Sequence, residues 1–224
     1  MKEEIIMIRL KNIKIKEDLK EEEVLNIALR KNKLKLDQVK SFYIYKKSID
    51  ARKKEDVHYN YSIDIELKDK KLEEKYEKVE HYKFQKVTLR RNSPYAPVII
   101  GAGPSGLFAA LILVENGIKP IILEQGKKIE ERMQDVENFK KNRILNTYSN
   151  IQFGEGGAGT FSDGKLNTGN TNILSRKVLE EFVRFGAPQE ILYNAKPHIG
   201  TDNLVKILKN IREYIISKGR KSTI

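Results

Sequence analysis

Three glycines in a fixed rhythm leave this chain few choices around residue 100. Val98-Ile99-Ile100 is a β-branched apolar run that reads as a buried strand. It leads straight into Gly101-Ala102-Gly103-Pro104-Ser105-Gly106, after which Leu107, Leu111 and Val114 fall on one face of a helix predicted over 104–116. Strand, G-x-G-x-x-G and helix in that order give each glycine its own task. Gly101 permits the tight turn off the strand. Gly103 has no side chain, so a pyrophosphate can approach its backbone. Gly106, with Ala110, lets the helix pack closely on the sheet. Pro104 is tolerated in the first turn, where its missing N–H costs little. The helix start, with Ala102, Pro104 and Ser105 around it, aims unpaired N–H groups and a partial positive charge at the phosphates.

A second strand is predicted over 120–124, around Ile121-Ile122-Leu123, and it ends at Glu124, with Gln125 beside it. An acid there is placed to accept hydrogen bonds from a ribose 2′-hydroxyl, and it disfavours a 2′-phosphate. The unit is thus a Rossmann-like βαβ motif that reads the ADP half of a dinucleotide. FAD and NAD share that half, so the motif alone does not separate them. A helix over 127–141 follows.

Residues 152–167 hold a second glycine cluster, Gln152-Phe153-Gly154-Glu155-Gly156-Gly157-Ala158-Gly159-Thr160-Phe161-Ser162-Asp163-Gly164-Lys165-Leu166-Asn167. Glycine at this density bares backbone amides, which suits close approach to a flat ring or a phosphate. Gly156, Gly157 and Gly159 are candidates for that approach. Lys165 offers a positive charge and Asn167 a neutral hydrogen bond. A flexible surface loop is the competing reading, but charges and long polar side chains are sparse here. Two more helices are predicted, near 173–185 and over 202–218. The second carries Leu204, Ile207, Leu208, Ile211 and Ile215 as one stripe, with Gly219 as its stop.

The first 100 residues contain no glycine, and all 14 in the chain follow. Pro94 and Pro97 mark the change, so a domain boundary is placed at about residue 93, with a small α+β domain over 1–93 and the dinucleotide-binding domain over 94–224. In the leading domain, alternation over 5–15 sets Ile6, Ile8 and Leu10 against Met7, Arg9 and Lys11, as in a strand. Asp18-Leu19-Lys20-Glu21 reads as a capping box for a helix that buries Val24, Leu25, Ala28 and Leu29. Phe42–Tyr45 and Tyr59–Leu67 read as strands, with a possible last one over 81–89. The β-α-β-β order suits a ferredoxin-like sandwich. Four tyrosines in these strands raise the idea of an RNA-stacking sheet. No RNP-like pattern supports it, and half-buried strand residues explain them.

The chain has no cysteine, which excludes disulfides, thiolate metal sites and Cys-x-x-Cys redox chemistry. Its net charge is +12, with 25 basic against 18 acidic side chains in residues 1–93 and 18 against 13 in 94–224. The excess is spread and interleaved with acids, so nucleic acid is not an expected partner. No apolar run is long enough to span a bilayer, and the start lacks a signal-peptide pattern, so a cytoplasmic location is expected.

The run from Gly101 to Glu124, then Arg132, then Phe153 to Leu166 closely resembles the bacterial FAD-dependent dehydrogenase family, the NAD(FAD)-utilising dehydrogenases. Lys196-Pro197-His198-Ile199-Gly200-Thr201-Asp202 and Ser48-Ile49-Asp50-Ala51-Arg52-Lys53-Lys54 are similar to it as well. The resemblance implies a glutathione-reductase-like FAD fold with FAD as cofactor; the alternatives are an NAD-binding enzyme of another subfamily, with NAD in place of FAD or as a second substrate, and a truncated chain with no activity of its own. It implies that the ADP half sits on Gly101, Gly103, Gly106 and Glu124, and that Arg132 and the 154–167 loop lie along the cofactor. It names no catalytic acid or base, and His198 reads as an ordinary loop histidine. Members are about twice this length, so the chain reads as an incomplete, N-terminal portion whose missing half would be its partner. The dehydrogenase label follows from the cofactor fold, which does not fix a reaction.

Overall fold

A computed structural model of the chain describes residues 6–80, 84, 94–166 and 174–218. It divides into two compact units. Among the described residues, one unit holds 6–80, 174–176 and 190–197, and the other holds 84, 94–166, 177–189 and 198–218. No described helix is long and apolar enough to cross a membrane.

The leading unit runs β1 (Ile6–Ile15), α1 (Glu21–Lys31), β2 (Val39–Asp50), β3 (His58–Leu67), α2 (Lys70–Glu73) and β4 (Lys78–Glu80). The strands form one sheet in the order β2-β3-β1-β4, with every neighbouring pair antiparallel. The predicted strand at 42–45 extends over the whole of β2. The one suggested for 81–89 lies almost entirely outside the described residues, and β4 precedes it. The core joins Ile8, Leu10, Ile13 and Ile15 of β1 and Ile63 and Ile65 of β3 to Val24, Leu25, Ala28 and Leu29 of α1.

Two local readings need correcting. Strict alternation along β1 fails at both ends. Ile6 is half exposed while Met7 is fully buried. Further along, Leu10 and Ile13 reach the same core across an odd step, because a bulge between them absorbs the extra residue, with Asn12 in the left-handed region at φ 59°. The cap of α1 also moves. Glu23 Oε2 accepts the Lys20 N–H at 3.1 Å, and the helix starts at Glu21. Asp18 is engaged instead by Lys47 Nζ at 2.6 Å.

The sheet also carries a buried charge. Asp64 accepts both Arg9 Nε and Nη2, at 2.7 and 2.8 Å, and the guanidinium lies 3.2 Å from the centre of the Tyr45 ring. The tyrosines divide accordingly: Tyr61 is in the core, Tyr59 packs on it, and Tyr43 and Tyr45 stay half exposed.

The second unit contains β5 (Val98–Ile100), α3 (Pro104–Glu115), β6 (Ile121–Leu123), α4 (Ile129–Asn142), most of α5 (Leu174–Arg184) and α6 (Thr201–Lys218). β5 and β6 are parallel, in the register Val98↔Ile121, Ile99↔Ile122 and Ile100↔Leu123, with α3 as the crossover. α3 buries Leu107, Ala110, Leu111 and Val114, and it packs on α6, whose Leu204, Ile207, Leu208, Ile211 and Ile215 are all buried. Phe108 meets Phe182 edge-on at 5.8 Å, and Phe185 meets Tyr214 edge-on at 5.5 Å.

The strands themselves are not buried as the apolar runs suggested. Val98 is 56% exposed, Ile100 88%, Ile121 50% and Leu123 54%. Parallel sheets are normally covered on both faces. Here two strands pair among the described residues, and one set of side chains lies open.

Replacing Ile63 by Ala, at the centre of the leading unit's core, should cost about 2–5 kcal/mol. Urea unfolding followed by circular dichroism will show the shift in midpoint.

Candidate cofactor site

The turn after β5 is built from the absence of side chains. The Gly101 N–H donates to the Leu123 carbonyl at 2.7 Å, so the parallel ladder runs one residue past β5. The chain then swings away with Gly101 at φ +97°, a conformation that favours glycine. At Gly106 a Cβ would overlap the Gly101 carbonyl oxygen and crowd Ile99 Cγ2 at 3.2 Å. α3 therefore starts in contact with the strand it leaves. Gly103 is different, because a Cβ there would meet nothing within 4 Å. The space in front of it is open. Pro104 and Ser105 are exposed, and the first turn leaves the N–H groups of Ser105 and Gly106 without intrahelical carbonyls.

Glu124 bridges this turn to the next. Its Oε2 accepts the Ala102 N–H at 2.6 Å, and its Oε1 accepts the Gly126 N–H at 2.9 Å. Each carboxylate oxygen has a second acceptor position, so the side chain can hold the turn and still receive two hydroxyl donors.

The second glycine cluster is a packed element. Gly154, Glu155, Gly156, Thr160 and Gly164 are buried. The Gly156 N–H donates to the Ala102 carbonyl at 2.8 Å, which ties the two glycine loops together. Gly157, at φ +69°, lies against Pro104 and Gly103. Gly164 packs on Gly200, and the Ile199 N–H donates to its carbonyl at 2.9 Å.

Beneath the loop lies a charged network. Arg132 is fully buried. Its Nε donates to the Asn150 carbonyl at 2.8 Å and its Nη2 to that of Ile151 at 2.9 Å, while Nη1 donates to Glu155 at 2.7 Å and Gly157 at 2.9 Å. Burial holds its pKa below the ordinary value, against the pull of the Glu124 and Glu155 carboxylates. Glu155 Oε2 accepts the first N–H of α4, from Ile129, at 2.7 Å, and pairs with Arg212 of α6. This carboxylate fixes the helix start at 129 rather than 127. Burial pushes the Glu155 pKa up, opposed by Ile129 and Arg212. Arg212 also pairs with Glu130 at 2.6 Å, and that hydrogen bond lowers the Glu130 pKa.

These walls enclose a cavity of about 280 Å³, lined by Ile100, Gly101, Gly103, Leu123, Glu124, Gln125, Gln152, Phe153, Gly154 and Gly157. Of the predicted residues, Gly101, Gly103, Glu124, Gln125 and Gly157 line it. Ala102 and Gly156 stand behind the lining and supply the bond between the loops. Gly106 holds α3 to the turn. Arg132 does not lie along the cavity, because its guanidinium is spent on the loop's carbonyls. Gly159 lies in the short turn Ala158–Phe161. Lys165 is exposed and pairs with Asp163 at 2.8 Å, away from the lining. Asn167 lies outside the described residues. His198 is exposed and hydrogen-bonded to the Asp163 carbonyl. Sequence reading passed over Ile100, Leu123, Gln152 and Phe153 as lining, and it found no role for Arg212, which sits on the polar side of α6. Among the described residues, no cluster of three carboxylates or histidines could hold a metal.

Comparison with known proteins places this geometry. Residues 95–136, from just before β5 into α4, match the family described as FAD binding domain. FAD is the cofactor. Residues 7–66 match a domain of unknown function (DUF8436). A curated relative from Clostridium beijerinckii (strain ATCC 51743 / NCIMB 8052), described as an uncharacterized protein, is 40% identical over 227 residues. The match takes in 95% of this chain and 41% of that protein, so the chain spans well under half of its relative's length.

Two outcomes test the local geometry. Gly106→Ala should destabilise the second unit by about 1–3 kcal/mol through overpacking, measured by thermal unfolding. The Glu130–Arg212 pair works through a lowered Glu130 pKa. Its contribution is complete above the ordinary glutamate range and disappears as pH falls through the lowered value. Glu130→Gln should therefore narrow the stability difference between neutral and acid pH, as seen in melting curves across that range.

Proposed function

We propose that this chain is the FAD-binding leading part of an oxidoreductase related to the NAD(FAD)-utilising dehydrogenases. The carrying observation is a single cavity with the open backbone at Gly103 on one wall and the Glu124 carboxylate on another. In this reading the second unit is a Rossmann-like, glutathione-reductase-like domain, supported by the parallel β5-α3-β6 arrangement. The leading unit is ferredoxin-like, supported by its β-α-β-β-α-β element order and its antiparallel sheet β2-β3-β1-β4. In this reading the protein works in the cytoplasm.

The chain's own residues divide the task. The bare backbone at Gly103 admits the diphosphate, and the first-turn amides of α3 donate to it. The free acceptor positions of Glu124 take the ribose hydroxyls. Ile100, Leu123 and Phe153 give the cavity apolar walls. FAD, once bound, supplies the capacity to accept a hydride. The acid or base for that chemistry and the substrate pocket belong, in this reading, to further polypeptide of the kind that makes up the rest of the Clostridium relative. The exposure of Val98, Ile100, Ile121 and Leu123 supports that division, since a covering segment would bury them.

The purified chain should carry flavin absorbance bands or gain them on titration with FAD. Gly103→Val should abolish that binding and leave the circular dichroism spectrum unchanged, because the new side chain enters open space that the diphosphate needs. Binding that survives in this variant would reject the assignment. Glu124→Ala should weaken FAD binding by about 1–3 kcal/mol, measured by fluorescence titration, from a lost charged hydrogen bond.

A further inference from the structure

We infer that Arg132 is a positioning residue for the FAD site, a clamp that builds the cavity's second wall without touching the cofactor. The inference rests on the FAD reading of that cavity. Arg132 sits on α4, fully buried, and its guanidinium donates four hydrogen bonds to the main-chain carbonyls of Asn150, Ile151, Glu155 and Gly157. Gln152, Phe153, Gly154 and Gly157, which line the cavity, are carried on that same stretch. The grip is reciprocal. The helix gives its guanidinium to the loop, and the loop returns the Glu155 carboxylate to the first N–H of the helix. Arg212 of α6 and Glu130 of α4 close the network from the other side.

Geometry decides between shape and charge. Carbonyls spread over 150–157 need donors that diverge from a rigid plane, and a guanidinium presents five in a fixed fork. A lysine ammonium has the same charge but three donors on one atom, so it cannot reach all four carbonyls. The glycines demand the clamp, because Gly154, Gly156 and Gly157 all hold positive φ and have many conformations to lose. Released from Arg132, the stretch spends little time as a wall. The apparent affinity for FAD then falls in proportion to the fraction of chains with the wall in place.

The test compares Arg132→Lys with the unaltered 224-residue chain. Hydrogen exchange of amides 150–157 should speed up, and the dissociation constant for FAD should rise by about tenfold if the walled fraction drops to a tenth. At saturating FAD, loop protection and flavin absorbance should return to those of the unaltered chain, which a globally unfolded variant would not show. Wild-type exchange and wild-type affinity in Arg132→Lys would overturn the clamp, since charge alone would then suffice.

Asn150→Ala provides a second route if the lysine variant does not fold. Asn150 Oδ1 accepts the N–H groups of Gln152 at 2.8 Å and Phe153 at 3.2 Å. Its loss loosens the same stretch without exposing a buried charge. Faster loop exchange with unchanged FAD affinity in that variant would also overturn the proposal. An unaltered chain that fails to bind FAD would defeat the cofactor reading itself, and the exchange data would still report on the grip of Arg132.

Discussion

The second unit depends on a contact that no side chain could make. α3 begins against the carbonyl of Gly101, and Gly106 is the residue that allows it. Close approach at that point lets α3 lie across β5 and β6 with Leu107, Ala110, Leu111 and Val114 buried. It also brings the start of the helix to the end of two parallel strands. Glu124 then reaches the Ala102 amide, and the second glycine loop reaches the Ala102 carbonyl. Move the helix outward by a methyl group and each of those bonds lengthens.

Glycine therefore does two opposite things here. At Gly106, Gly154, Gly156 and Gly164 it lets protein pack against protein. At Gly103 it leaves room that protein does not fill. The cavity exists because these two uses stand side by side: packed glycines hold the walls, and an open one provides the floor. Electrostatics supports the arrangement. The carboxylates of Glu124 and Glu155 are each held by backbone N–H groups, and both act on the buried Arg132.

What could be read in the sequence was what local geometry fixes. The spacing of Gly101, Gly103 and Gly106 specifies a turn within a few residues, and the stripe from Leu204 to Ile215 specifies a buried helical face. Both depend on near neighbours. The shift at Asn12 was hidden because an apolar pattern with an odd step reads as noise until a bulge explains it. The start of α1 was misplaced because Asp18 has a partner in Lys47, 29 residues away. The contacts of Arg132 were out of reach for a related reason. Its partners are main-chain carbonyls, which leave no mark on residue identity. The exposure of β5 and β6 was likewise invisible, since Val98-Ile99-Ile100 reads the same whether or not anything covers it.

That open pair of strands bears on how the chain behaves as a substance. Ile100 projects almost entirely into water, with Leu123 beside it, on a ribbon of two paired strands among the described residues. Copies meeting through this ribbon would stick, and what keeps them apart is a charge of +12 on each. That repulsion reaches about 10 Å at 0.1 M ionic strength and shrinks as salt is added. On that balance, apolar attraction through the ribbon gains on charge repulsion as ionic strength rises.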